Sequence, residues 1–150
     1  MKNFENKAII ITGAAMGLGL AAAKELASRG ANLTLVDYNE KSLLEAKNLK
    51  VLEPIGYHDS LFLAERARFV LTDSGGLQEE TTFLRTPCLT LRPNTERPIT
   101  ITVGSNRLTS LGSLRADIGQ ALVSPDRRGG VPPLWDGHTA ERVVRELLAG

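Results

Sequence analysis

The sequence has little sulfur, few aromatic residues and almost no net charge. A single cysteine in 150 residues, Cys88, excludes an internal disulfide and any cysteine-based metal site. Its apolar surroundings mark it as a small buried residue. A net charge of +1 removes the basic surface that nucleic acid or an anionic membrane requires of a partner. No apolar run reaches the length of a membrane span, and Met1 to Lys7 lacks the apolar core of a signal peptide, so a cytoplasmic setting is expected. The two histidines, His58 and His138, stand in polar, turn-like contexts without the spacing of a metal site or a triad, which gives them structural or solvent roles. No metal ligands and no catalytic set are expected.

Lysine is missing from most of the chain. All six lysines lie in the first 50 residues with only Arg29, whereas the remaining eleven basic residues are arginine. Asparagine follows the same division, five before Val51 and two after. A junction near Asn48 to Val51, between segments of different origin, is the expectation. The length suits one domain with a sizeable core.

What the sequence does contain is two glycine-bearing turns, each between an apolar run and a helical stretch. Ala8 to Ile11 suits a strand buried on both faces of a parallel sheet. Thr12, Gly13, Gly17 and Gly19 follow it, then the helix-forming Leu20 to Arg29, stopped by Gly30. Glycines of this kind let the backbone approach a pyrophosphate at the positive end of a helix. Asp37, at the end of the next strand (Asn32 to Val36), stands where a dinucleotide site places an acid to accept hydrogen bonds from ribose hydroxyls, which favours NAD over NADP. The second turn, Thr72 to Glu80 (TDSGGLQEE), follows an apolar strand, and its Ser-Gly-Gly opens a helix whose N–H groups face an anion. Glu79 and Glu80 read as first-turn acids there.

The pattern of Thr12, Gly13, Gly17 and Gly19, with its strand, helix and Asp37, resembles the cofactor fingerprint of the short-chain dehydrogenase/reductase family over about residues 5–49. That resemblance implies NAD contacts at Gly13, Gly17, Gly19 and Asp37. It stops short of chemistry. The family's Tyr-x-x-x-Lys pair is missing, since four residues after Tyr38 and Tyr57 stand Ser42 and Leu61, and no lysine follows Lys50.

From Val51 to about residue 149 the sequence resembles the C-terminal half of the non-hydrolysing UDP-N-acetylglucosamine 2-epimerases, most specifically in Thr72-Asp73-Ser74-Gly75-Gly76 with Gln78-Glu79-Glu80 and in Thr95-Glu96-Arg97-Pro98. The resemblance implies that Ser74, Gly75 and Gly76 hold the diphosphate of UDP, that Glu80 binds the uridine ribose hydroxyls and that Arg97 lies near. It also implies acid/base carboxylates drawn mostly from a second, N-terminal domain that is absent here. Nucleotide binding at best millimolar to high-micromolar, about 4–6 kcal/mol, is the consequence.

The chain therefore reads as a single α/β domain, residues 1–150, a three-layer, doubly wound Rossmann-like parallel sheet of strand order 3-2-1-4-5-6, with residues 1–49 dehydrogenase-like and 50–150 epimerase-like. Expected elements are helix two at about 39–49, strand three at 50–52, helices at 60–66, 77–84 and 114–122, strands at 68–71, 88–91 and 107–109, an irregular 94–104, and a last helix with an apolar stripe at Ala140, Val143, Val144, Leu147 and Leu148. Both turns are expected to line one crevice at the switch point, where NAD and UDP would compete. The functional expectation is an engineered chimeric scaffold with no catalytic activity and at most weak UDP or NAD binding. The alternative is a nucleotide-binding module, or a partial epimerase or oxidoreductase acting with a missing domain. Each signal also has a structural reading: glycines for turn and helix packing, Asp37 as a solvated strand-end acid, Trp135 as a packing residue, Arg127 and Arg128 as loop charges.

Overall fold

The computed structural model describes residues 7–14, 17–36, 49–52, 55–123 and 129–149. Six parallel strands form one sheet: β1 (Ala8–Thr12), β2 (Asn32–Val36), β3 (Leu49–Leu52), β4 (Val70–Thr72), β5 (Cys88–Thr90) and β6 (Asn106–Leu108). Their order is β3-β2-β1-β4-β5-β6, as the alternation of elements requires. Ile9, Ile10 and Ile11 are all buried, so β1 is covered on both faces, and this explains why it reads as a continuous apolar run.

Helices α1 (Gly17–Ser28) and α5 (Leu114–Val123) cover one face. Ala22, Ala23 and Leu26 of α1, with Leu114 and Ile118 of α5, pack on Ile9, Ile11, Leu33, Leu35, Leu71 and Leu89. Helices α2 (Tyr57–Arg66) and α3 (Gly75–Leu84) lie on the opposite face, where Leu63, Ala64 and Leu77 meet Ile10 and Val70. Cys88 is buried, and burial pushes its thiol up to about 11.

Several boundaries differ from expectation. Helix α2 starts at Tyr57 because Gly56, in extended conformation, serves as its N-cap and accepts from Ser60 N–H at 3.0 Å. Strand β4 begins two residues late and takes in Thr72, while Arg68 reaches out to the Leu122 carbonyl at 2.6 Å. Leu49 opens β3 instead of closing a helix; the rest of the expected helix two, Asp37, Arg127 and Arg128 lie outside the described residues. The expected irregular stretch holds a short helix α4 (Ile99–Thr102). The last helix, α6 (Thr139–Ala149), has no buried residue: Val143 is 51% and Leu148 83% exposed. Its apolar stripe is real and uncovered among the described residues.

Candidate functional site

Strands β1 and β4 are neighbours, with Ile10 opposite Val70 and Ile11 opposite Leu71. The order of connection reverses between these parallel strands, and in doubly wound sheets the ligand crevice lies at that switch point, beyond the carboxyl ends of the strands. Thr12 and Thr72, the last residues of the two strands, share a hydroxyl–hydroxyl hydrogen bond of 2.5 Å on its floor. Each strand then enters its glycine turn, so the two turns are side by side. A methyl group placed on Gly13 would lie 3.5 Å from Asp73 Oδ1.

The first turn is spent on packing. Gly13 has φ +65°, a region that side-chain-bearing residues adopt at a cost, and a Cβ on Gly19 would come within 2.2 Å of the Gly13 carbonyl oxygen. Helix α1 therefore rests directly on the turn. Gly17 is the first residue of α1. The turn and its packing require glycine at both Gly13 and Gly19.

The second turn is differently equipped. Ser74 is the N-cap of α3 in extended conformation (φ −75°, ψ 132°), and its hydroxyl makes no capping hydrogen bond. The first-turn N–H groups of α3 have no intrahelical acceptor and point into the crevice end of the helix, where the backbone dipoles favour an anion. The turn is pinned from behind, since Ser74 N–H donates to Thr72 Oγ1 at 3.0 Å. Arg97 supplies the charge: a Cβ on Gly75 would lie 2.6 Å from its NH1, so the guanidinium lies over Gly75. Glu79 at 3.0 Å and Glu96 at 3.0 Å hold it there, and contact with Glu79 raises its pKa above the ordinary arginine value.

Because α3 begins at Gly75, Glu79 and Glu80 fall in its second turn, and its first turn holds no acid. The poor helix propensity of two glycines argues for a start at Leu77; the helix opens two residues earlier, with Ser74 in extended conformation before it. Glu80 is half-buried, and burial first, with the Glu79 charge second, raises its carboxyl pKa.

A buried polar network supports the second turn, and sequence reasoning does not find it. Gln78, fully buried, accepts at Oε1 from Thr95 Oγ1 (2.6 Å) and from Asn106 Nδ2 (3.1 Å), and donates from Nε2 to the Ser74 carbonyl (3.3 Å). Asn106 also donates to Thr100 Oγ1 (3.1 Å) and accepts from Thr90 Oγ1 (2.6 Å). Thr100 Oγ1 in turn donates to the Arg97 carbonyl at 2.7 Å. The network thus ties α3, β5, β6 and the Thr95–Arg97 segment into one unit. Its signal is present as Gln78 and Thr95 inside the two epimerase-like motifs, but residues 17 and 28 apart meet only once the sheet forms.

Of the sequence-derived candidates, Gly13 faces Asp73 of the neighbouring turn, Gly19 packs on Gly13, Arg97 lies over Gly75 beside Ser74 and Gly76, and Glu80 lies further along α3. Asp37 is outside the described residues. His138 Nδ1 lies 3.2 Å from Glu141 Oε2 in an exposed pair, and Trp135 is half-buried, its backbone N–H donating to the Pro132 carbonyl. No group of three or more metal-ligating side chains occurs among the described residues.

A family model described as UDP-N-acetylglucosamine 2-epimerase matches residues 22–148. The UDP-N-acetylglucosamine 2-epimerase of Methanocaldococcus jannaschii is 41% identical over 104 residues, covering 69% of this chain and 28% of the relative. That of Bacillus subtilis is 34% identical over 110 residues, covering 69% and 29%. Among solved structures, the M. jannaschii enzyme in complex with UDP-GlcNAc and UDP superimposes with a TM-score of 0.75 at 28% identity, covering 98% of this chain and 46% of that one. A complex of S. aureus MnaA with UDP gives 0.77 at 26% identity, covering 97% and 45%. The chain thus spans under a third of the curated relatives and under half of the solved ones.

These matches correct the functional expectation. The family match begins inside α1 and runs through the expected junction at residues 48–51, which overturns the engineered, non-catalytic scaffold, and the relatives are enzymes by name. The solved relatives hold UDP or UDP-GlcNAc, which gives NAD no support. In the first turn the described geometry shows the close rest of α1 on Gly13.

Proposed function

The chain belongs to the UDP-N-acetylglucosamine 2-epimerase family, and we propose that it forms the part that grips the nucleotide of a UDP-N-acetylhexosamine whose sugar is inverted at C2. The diphosphate is held by the N–H groups opening α3, by the Ser74 hydroxyl and by Arg97. Gly75 and Gly76 keep side chains out of the way, and Glu80 accepts hydrogen bonds from the ribose hydroxyls. Inversion at C2 takes place in a cleft completed by the portion of the relatives that this chain does not span. No cofactor takes part in this reading.

The observation that carries it is the α3 N-terminus: a serine N-cap that leaves its helix uncapped, beneath an arginine anchored by two carboxylates. A helix opening of this kind suits an anion. Isothermal calorimetry tests it. UDP is expected to bind with micromolar to millimolar affinity, and Ser74→Ala or Arg97→Ala to weaken it about tenfold each, the loss of one charge-assisted hydrogen bond. Absence of UDP binding by a folded chain at millimolar concentration overturns the reading.

A further inference from the structure

Asp73 is the crevice residue to which the nucleotide reading assigns nothing. It is exposed, stands between β4 and the Ser74 N-cap, and holds its carboxylate against Gly13, 3.5 Å from where a methyl group on that residue would lie. Arg97, the cation over the α3 opening, is engaged by Glu79 and Glu96. The crevice therefore has a polarity along its length. Glu80 lies one turn into α3, the positive Ser74–Gly76 opening with Arg97 comes next, and the Asp73 carboxylate and Gly13 lie beyond it, toward β1.

We propose that Asp73 sets the specificity of the crevice for a neutral sugar over a further phosphate at the distal end of the nucleotide. The proposal rests on the nucleotide reading above. With the ribose at Glu80 and the diphosphate at the α3 opening, whatever is joined to the β-phosphate extends toward Asp73 and the first turn. A pyranose brings hydroxyl and amide N–H groups that donate to a carboxylate. A third phosphate brings negative charge to within a few ångströms of one, while Arg97 at the neighbouring helix opening is engaged by Glu79 and Glu96. The same residue disfavours a second phosphate at the first turn, which bars a dinucleotide from bridging both turns.

The test is calorimetry with UDP, UDP-N-acetylglucosamine and UTP on the unaltered chain, Asp73→Asn and Asp73→Glu, with melting temperatures recorded to show that each variant is folded. The unaltered chain is expected to bind UTP at least about tenfold more weakly than UDP, the repulsion of one like charge at surface dielectric. Asp73→Asn narrows that ratio to within about threefold while UDP affinity changes little, and Asp73→Glu, which keeps the charge, retains the discrimination. A merely structural role for Asp73 moves all three ligands together and leaves the ratio unchanged. An unchanged UTP to UDP ratio in folded Asp73→Asn overturns the proposal while the UDP site stands. Failure of the unaltered chain to bind UDP overturns both.

Discussion

The two strand–turn–helix units at the centre of the sheet have the same outline and different contents. β1 with α1 and β4 with α3 are parallel neighbours whose turns leave the same edge, joined by the Thr12–Thr72 contact. In the first, glycine serves packing: Gly19 lets α1 rest on the Gly13 carbonyl. In the second, glycine makes room: a methyl group on Gly76 would have the Ser74 hydroxyl near it, at 3.9 Å, and one on Gly75 would lie 2.6 Å from the Arg97 guanidinium, which Glu79 and Glu96 hold. Glycine spacing therefore does not identify a ligand site. The neighbours of the glycines do, through an uncapped helix, a held cation and a buried network behind them.

The largest test of this contrast is to add one methyl group to each turn. Gly19→Ala puts a carbon 2.2 Å from a backbone oxygen that cannot move aside, and urea unfolding should show a loss of about 3 kcal/mol or more, the upper end of overpacking costs. Gly76→Ala meets nothing closer than 3.9 Å and should change stability by less than about 0.5 kcal/mol, while a bound diphosphate would lose its close approach. Equal destabilisation by the two changes would break the comparison.

Next in size is Gln78→Ala. It leaves the Thr95 hydroxyl proton and one Asn106 donor without an acceptor, although Thr95 Oγ1 still accepts from Arg97 N–H, and it removes the bond to the Ser74 carbonyl. Loss of a buried partner costs about 1–3 kcal/mol, read as a lower urea midpoint. Because the network also carries the Arg97 backbone through Thr100, UDP affinity should fall as well, although Gln78 is not placed on the ligand. A stability loss with unchanged UDP affinity would show that the network holds the fold without positioning the site.

The same contrast explains what the sequence discloses. Six strands, their order and the second turn are legible because apolar runs, Pro87, and Ser74-Gly75-Gly76 are local signals. The first turn is ambiguous in the sequence because glycine has one letter for two jobs, close packing and close ligand approach, and the Gly13 carbonyl beneath Gly19 shows the first of them. The support network is unreadable for a different reason: Gln78, Thr95, Thr100 and Asn106 are ordinary polar residues until β5, β6 and α3 bring them together. The uncovered stripe of α6 belongs to the same class, since periodicity reveals an apolar face and says nothing of what meets it.

The smallest expected effect concerns Glu80, where stability and binding should respond to pH in opposite directions. Burial and Glu79 raise its carboxyl pKa in the folded chain, so the native state holds the proton more tightly than the unfolded one. Ionisation therefore costs stability, and the cost is absent below the ordinary carboxylate range and complete above the raised folded value. At neutral pH, Glu80→Gln should stabilise by no more than about 0.5 kcal/mol, since the side chain is only partly shielded from solvent and screening is strong. In acid the difference should vanish. Binding runs the other way, because the ionised carboxylate is the better acceptor for ribose hydroxyls. Uridine, which has no phosphate to titrate, should bind the unaltered chain more tightly as pH rises from acid to neutral, and Glu80→Gln should remove that rise. A uridine affinity that is flat with pH in the unaltered chain would place the ribose elsewhere along α3 and leave the diphosphate at its N-terminus as the only point where the second turn exceeds the first.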